Sequence, residues 1–230
     1  MSGCAIVGPA LNRSNLKNEI RANGQGGGEV LTAFRELGQA AGLDPETIYV
    51  ARQPGAHVNA ASVGDRHFVV TEGAINGDKC LLWGLVAHEL GHDVLNHSDV
   101  NVATATALGV IATGVGVVVP GGGYLVQGLG WLGMRGFSRA QENSADAKAV
   151  EILQRAGKPQ WALRYTLDYL RDVYGDSAAA LAWLSTHPAA VDRAATQPAY
   201  DADEVARWCP SPEERAREIA AIRTGIAPQL

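Results

Sequence analysis

The chemistry of this chain is most legible in five consecutive residues, His88-Glu89-Leu90-Gly91-His92. Residues four apart on an α-helix lie about 40° apart around its axis, so His88 and His92 project to one face and can grip one metal ion at about 2 Å. Glu89 sits one residue round from His88. That places its carboxylate beside an open coordination position, where it can take a proton from a metal-activated water. Leu81, Leu85, Val86, Leu90 and Val94 would sink this helix into a core, and imidazoles and a carboxylate buried there need something to bind.

A catalytic zinc takes three protein ligands and keeps one position open. The extended form HExxHxxGxxH is excluded, because its glycine and last histidine positions hold Leu95 and Ser98. His97 misses by one residue and reads first as a helix-end residue, with a place behind the ligands as the weaker alternative. A better third ligand lies downstream, in Ser138-Arg139-Ala140-Gln141-Glu142-Asn143-Ser144-Ala145-Asp146. Glu142 and Asp146 share a helical face, which suits one ligating carboxylate and a companion that orients a zinc histidine through its second ring nitrogen. Their spacing alone equally fits a solvated acidic face. Ala145 is small enough to let two helices approach closely.

The elements that must hold these residues follow from periodicity. Apolar positions at helical spacing predict helices over Glu29–Ala41, Cys80–His97, Ser138–Ala156 and Trp161–Tyr174, with shorter ones over Ser177–Leu184 and Pro212–Arg223. Ile48–Ala51 predicts a strand, and His57–Val63 and Arg66–Thr71, joined at Gly64-Asp65, predict a hairpin. The expected fold is α+β and mainly helical, with a small antiparallel sheet. Residues 1–28, ending in a run of glycines, read as a flexible lead-in to one domain over 29–230.

Composition bounds the rest. With 47% hydrophobic and 19% charged residues the chain lies far from the disordered class, and its 27 glycines follow no collagen period. A net charge of -5 without a basic stripe argues against a nucleic-acid partner. No charged residue falls between Val100 and Met134. The apolar, glycine-rich segment 100–137 therefore sits between the two halves of the site, as a lid, a peripheral membrane contact or core. A spanning helix needs about 20 apolar residues, and this stretch reaches only the lower edge before Pro120. Three cysteines are too few for a disulfide scaffold, although one bridge stays open; Cys80, two turns before His88, reads as a buried inert thiol. Met1 to Leu11 lacks a conventional signal peptide, yet Ser2-Gly3-Cys4-Ala5 looks like the end of a bacterial lipoprotein signal. If Cys4 is such a lipidated cysteine the compartment is the cell envelope, and otherwise the cytoplasm.

Taken together, Ala87 to His92 followed by His97, then Arg139 to Asp146, then Ser185-Thr186-His187-Pro188 with Arg193 six residues after His187, resemble the zinc metallopeptidase family of the CAAX prenyl protease and the HtpX heat-shock protease. The hairpin carries the resemblance too, through Asn59-Ala60 and Val69-Val70-Thr71-Glu72-Gly73. The resemblance runs from about Gly42 to Arg193 and implies a zincin-like fold of the gluzincin type, with the zinc between two helices. It further implies one Zn2+ held by His88, His92 and Glu142, Glu89 as general base and acid, and Asp146 behind a ligand histidine. His187 and Arg193 would face the developing oxyanion, with Arg193 alternatively paired to a carboxylate. Asn59, Ala60 and Ala61 would form the edge beside which a peptide lies extended. The implied activity is zinc-dependent endopeptidase action on extended or unfolded polypeptides in protein quality control. The competing expectation is a metal-bearing chaperone or assembly factor with a closed site. The family's membrane members place transmembrane segments around the site, and here only segment 100–137 offers anything comparable.

Overall fold

The computed structural model describes residues 17, 18, 20, 21, 28–99, 137–174, 187, 190–200, 202–208, 217 and 220. The expected helices over Ser177–Leu184 and Pro212–Arg223, Cys4, Cys209, and segment 100–137 apart from Phe137 lie outside these residues, but for isolated positions of the second helix.

Helix α1 (Glu29–Ala40) buries Val30, Ala33, Phe34 and Leu37 along one face. Strand β1 (Tyr49–Gln53) follows, then β2 (Ala60–Gly64) and β3 (His67–Thr71). Both residues of the β2–β3 turn, Asp65 and Arg66, adopt the left-handed region at φ 54° and 62°. Such a two-residue turn matches the right-handed twist of the strands it joins. It also moves the turn one residue along from the expected Gly64-Asp65.

The hairpin is antiparallel, as expected, but the sheet is mixed. Its order is β1-β3-β2, and β1 pairs with β3 in parallel. The chain leaving β1 crosses to the far side of β3 before entering β2, so β2 becomes an edge. On one face Phe68 meets Phe34 with ring centroids 4.5 Å apart. On the other, Ile20 is buried against Ala51, Val63 and Val69, so part of the expected lead-in packs on the sheet.

Beyond a single turn, α2 (Glu72–Ile75), comes the central helix α3 (Lys79–Val94). Asp78 caps it, accepting from the N–H groups of Cys80 and Leu81 at 2.8 and 2.9 Å, and Tyr165 donates its hydroxyl to the other Asp78 oxygen at 2.8 Å. A side-chain cap of this kind is worth about 1 kcal/mol. Leu81, Leu85 and Leu90 are wholly buried, each contributing roughly 2 kcal/mol of burial. Cys80 is disulfide-bonded, which corrects the expectation of an inert thiol.

Helix α4 (Arg139–Arg155) opens on a capping box, with Ser138 and Gln141 satisfying each other's backbone N–H groups. Helix α5 (Ala162–Tyr174) follows, and then the short helices α6 (Ala190–Ala194) and α7 (Ala202–Trp208). Two glycines on one stripe of α3 set the helix packing. A Cβ on Gly84 would lie 2.3 Å from the Ala162 carbonyl oxygen of α5, and one on Gly91 would lie 2.6 Å from that of Ala145 of α4. The second contact is the close approach that small Ala145 was expected to permit. Among the described residues no helix is long and apolar enough to cross a membrane.

Candidate metal centre

Two adjacent stripes of α3 face two different neighbours. His88 and His92 turn towards α4, while Glu89 and Asp93, one residue further round, turn towards β2. On α4, Glu142 and Asp146 face back. All of these are sequestered: Glu89, His92 and Glu142 are 0% exposed and His88 and Asp146 2%. Water therefore does not compensate their charges, and the neighbours must.

Three groups, two imidazoles and a carboxylate, converge between the helices. Nε2 of His88 and Nε2 of His92 are 3.1 Å apart, and Glu142 places Oε1 3.2 Å from the second and Oε2 3.6 Å from the first. Tetrahedral bonds of about 2.0–2.1 Å would hold ligand atoms about 3.3 Å apart, so this triangle has the size zinc requires. Among the described residues Oε1 of Glu142 is buried without a hydrogen-bond donor, as expected of an oxygen whose partner is a cation. Burial first, then the neighbouring His88, holds the pKa of His92 well below the ordinary histidine value, and neutral imidazole is the form that ligates. These residues fit a zinc ion.

Behind the triangle, Nδ1 of His88 lies 3.0 Å from Oδ1 of Asp146, the partner that fixes a ligand imidazole's orientation. Burial pushes the Asp146 carboxyl up, but His88 and Arg193 outweigh it and hold it at about 2. Of the two roles expected of it, Arg193 takes up the pairing with carboxylates. Its Nε and Nη2 grip Asp146 at 2.7 and 2.6 Å, and its Nη1 donates to Glu142 Oε2. Two buried carboxylates one helical turn apart demand a cation, and the arginine fork supplies it to both.

On the open side, His187 is 1% exposed with Nε2 3.3 Å from Glu89 Oε1. Desolvation lowers the His187 pKa, but the Glu142 and Glu89 carboxylates overcome it and raise the value above that of an ordinary histidine. Burial likewise raises Glu89, and the adjacent His187 and then the neighbouring imidazoles bring it down below the usual carboxylate value. His187 belongs to the same cluster of possible ligands as His88, His92 and Glu142.

The expected edge residues lie where β2 runs past Glu89. The Ser62 N–H donates to Glu89 Oε2 at 2.7 Å, and the Ser62 carbonyl accepts from Ser98 Oγ at 3.0 Å. Asn59 turns its carbonyl inward to the Thr71 N–H, so by strand alternation Ala61 also faces β3 and Ala60 turns its backbone away from β3. Only the middle member of the expected trio thus keeps its backbone out of the β2–β3 ladder, and it is 3% exposed.

Sequence reasoning missed Ser62, Asp93 and Phe137. Asp93 accepts from the Arg66 N–H at 3.0 Å and from Ser62 Oγ at 3.3 Å, tying the hairpin to α3; its position four residues after Glu89 was the available signal. Phe137 lies over His92 with ring centroids 3.8 Å apart and planes 26° from parallel, and no pattern marked it out.

No curated protein matches the chain. The family model for peptidase family M48 matches residues 28–198, a span that contains both faces of the centre, the edge strand, His187 and Arg193. With that match covering most of its length, and with a metal-sized cluster assembled from the residues its motifs pointed to, the chain belongs to peptidase family M48, the metallopeptidases of the CAAX protease and HtpX type.

Proposed function

We propose that this metallopeptidase is a zinc-dependent endopeptidase that cuts extended or unfolded polypeptides in protein quality control. The observation that carries the reading is the buried triangle of His88, His92 and Glu142 with the Glu89 carboxylate beside it. His88, His92 and Glu142 would hold the ion. When bound, zinc supplies a Lewis acid that acidifies water towards neutrality and polarises a carbonyl.

The protein's own groups do the rest. Glu89 has one oxygen fixed by the Ser62 N–H and the other turned to His187, so it is aimed as a base that takes a proton and returns it to the departing amine. His187, with its raised pKa, is a donor for charge gathering on the peptide oxygen, a role worth about 3 kcal/mol. An extended peptide lying beside β2 would be recognised through its main chain, which suits unfolded substrates of many sequences. The Cys80 disulfide supports an oxidising compartment, consistent with the cell envelope.

The test compares zinc-loaded wild type with Glu89→Gln on an unfolded protein. Wild type is expected to cut internal bonds and the variant to be slower by about 100-fold or more. Equal residual activity, or none in either protein, overturns the enzyme reading. One observation favours the alternative, a metal-bearing chaperone or assembly factor: with His187 as a fourth ligand the coordination would be closed. Suppression of unfolded-protein aggregation without cleavage is the outcome that reading expects.

A further inference from the structure

Helix α3 stops at Val94, three residues before its apolar pattern suggested, and the chain beyond it returns to the site. The turn is made at Asn96, whose φ of 54° is left-handed. Asparagine tolerates that region better than most residues, and a helix commonly ends on it. The reversal folds His97 back towards α3, where it is 8% exposed.

His97 there touches a residue of the triangle from behind. Its Nδ1 lies 3.0 Å from Nδ1 of His92, with the two rings steeply inclined at 71°. Its Nε2 lies 3.3 Å from Oγ of Ser144 on α4, and that hydroxyl is 3.0 Å from the Ala140 carbonyl and 2.9 Å from that of Gln141. The direction of this chain is fixed by its first member. If His92 gives the Nε2 lone pair to a metal, its proton is on Nδ1 and must be donated, so Nδ1 of His97 accepts. The His97 proton is then on Nε2 and is donated to Ser144 Oγ, whose own hydrogen goes to a backbone carbonyl of α4. Every donor meets an acceptor, and only this order of protons achieves it.

We propose that His97 is the positioning residue of His92, holding its ring and tautomer for metal binding as Asp146 does for His88. The proposal rests on the metal-centre reading above. It also accounts for the difference between the two partners. His88 is backed by a carboxylate whose charge Arg193 neutralises, whereas no such cation contacts His97 among the described residues. A neutral imidazole orients His92 without adding a further negative charge to a site that already buries Glu89, Glu142 and Asp146. Ser144, one turn into α4, then ties the end of α3 to the helix that carries Glu142.

The experiment measures Co2+ and Zn2+ affinity of the purified full chain by competition with a chromophoric chelator, and the visible spectrum of the Co2+ form. His97→Ala is expected to weaken both affinities by about 10-fold or more and to alter the Co2+ bands. His97→Asn, whose amide oxygen can accept at the place of Nδ1, is expected to restore most of the affinity and the wild-type spectrum. Ser144→Ala should lie between. Unfolding of the metal-free proteins is recorded alongside, and the same losses in variants as stable as wild type exclude a purely structural role. Unchanged affinity and spectrum in His97→Ala overturn the proposal, as does failure of His97→Asn to rescue in a protein that is folded. His92→Ala separates the two readings: if it too keeps full affinity, the metal-centre assignment itself is wrong.

Discussion

Arg193 and Asp146 form a two-point ion pair, Nε to Oδ2 at 2.7 Å and Nη2 to Oδ1 at 2.6 Å, with both side chains buried. The same guanidinium reaches Glu142, so one cation balances two carboxylates on the outer side of the centre. Arg193→Ala leaves both charges without it and is expected to destabilise the metal-free protein by about 3–5 kcal/mol, read from denaturant unfolding. Arg193→Lys cannot reproduce the fork and should recover only part of this. A variant that kept its stability and metal affinity but lost turnover would instead place Arg193 at the reacting carbonyl.

Asp146 gives the centre an acid limit. Its carboxyl is held at about 2 against an ordinary 3.8. A group whose folded pKa is depressed contributes its full stability above the unfolded value and loses it as the pH falls towards the folded one. Between pH 4 and 2 the metal-free protein should thus lose about 2 kcal/mol through this residue. Asp146→Asn should flatten that limb of the stability profile, and an unchanged slope would show that Asp146 is not so held.

The approach of α3 to α4 leaves no room for a side chain at Gly91, where a Cβ would meet the Ala145 carbonyl oxygen at 2.6 Å. Backbone cannot swing aside as a side chain can. Gly91→Ala is expected to cost about 1–3 kcal/mol and, by parting the helices that carry His92 and Glu142, to weaken metal binding. Thermal unfolding with and without Zn2+ reads both effects, and wild-type values in both would contradict the tight packing.

The disulfide at Cys80 anchors the first turn of α3. Reduction is expected to lower stability by about 2–4 kcal/mol, and Cys80→Ser to do the same and then be insensitive to reductant. Melting with and without dithiothreitol checks it. A wild-type melting temperature indifferent to reductant would mean that the bridge does not form in solution.

The parts of the centre written locally were legible in the sequence. His88 and His92 announce themselves by spacing on one helix, whereas the spacing of Glu142 and Asp146 equally fits a solvated acidic face and only the wider resemblance singles them out; the capping box at Ser138 and Gln141 marks where their helix begins. What escaped depends on partners distant in the chain. Parallel pairing of β1 with β3 is decided by the path between strands, and no local pattern of Tyr49–Gln53 records it. Arg193 could be read as a catalytic donor or a carboxylate's partner until α6 was placed against α4. The end of α3 was misjudged because no glycine or proline stops it. The signal was Asn96, which reverses the chain and turns His97 from a helix-end residue into a neighbour of His92.

The bond from the Ser62 N–H to Glu89 concerns timing as much as geometry. A glutamate side chain free to rotate would have to be ordered in each reaction cycle, at an entropic cost of up to about 2 kcal/mol. Here the backbone of β2 removes that freedom when the chain folds, so the ordering is incurred once in the life of the molecule. It also makes the carboxylate only as steady as the strand: whatever shifts β2 by a fraction of an ångström shifts the partner of Glu89 by the same amount.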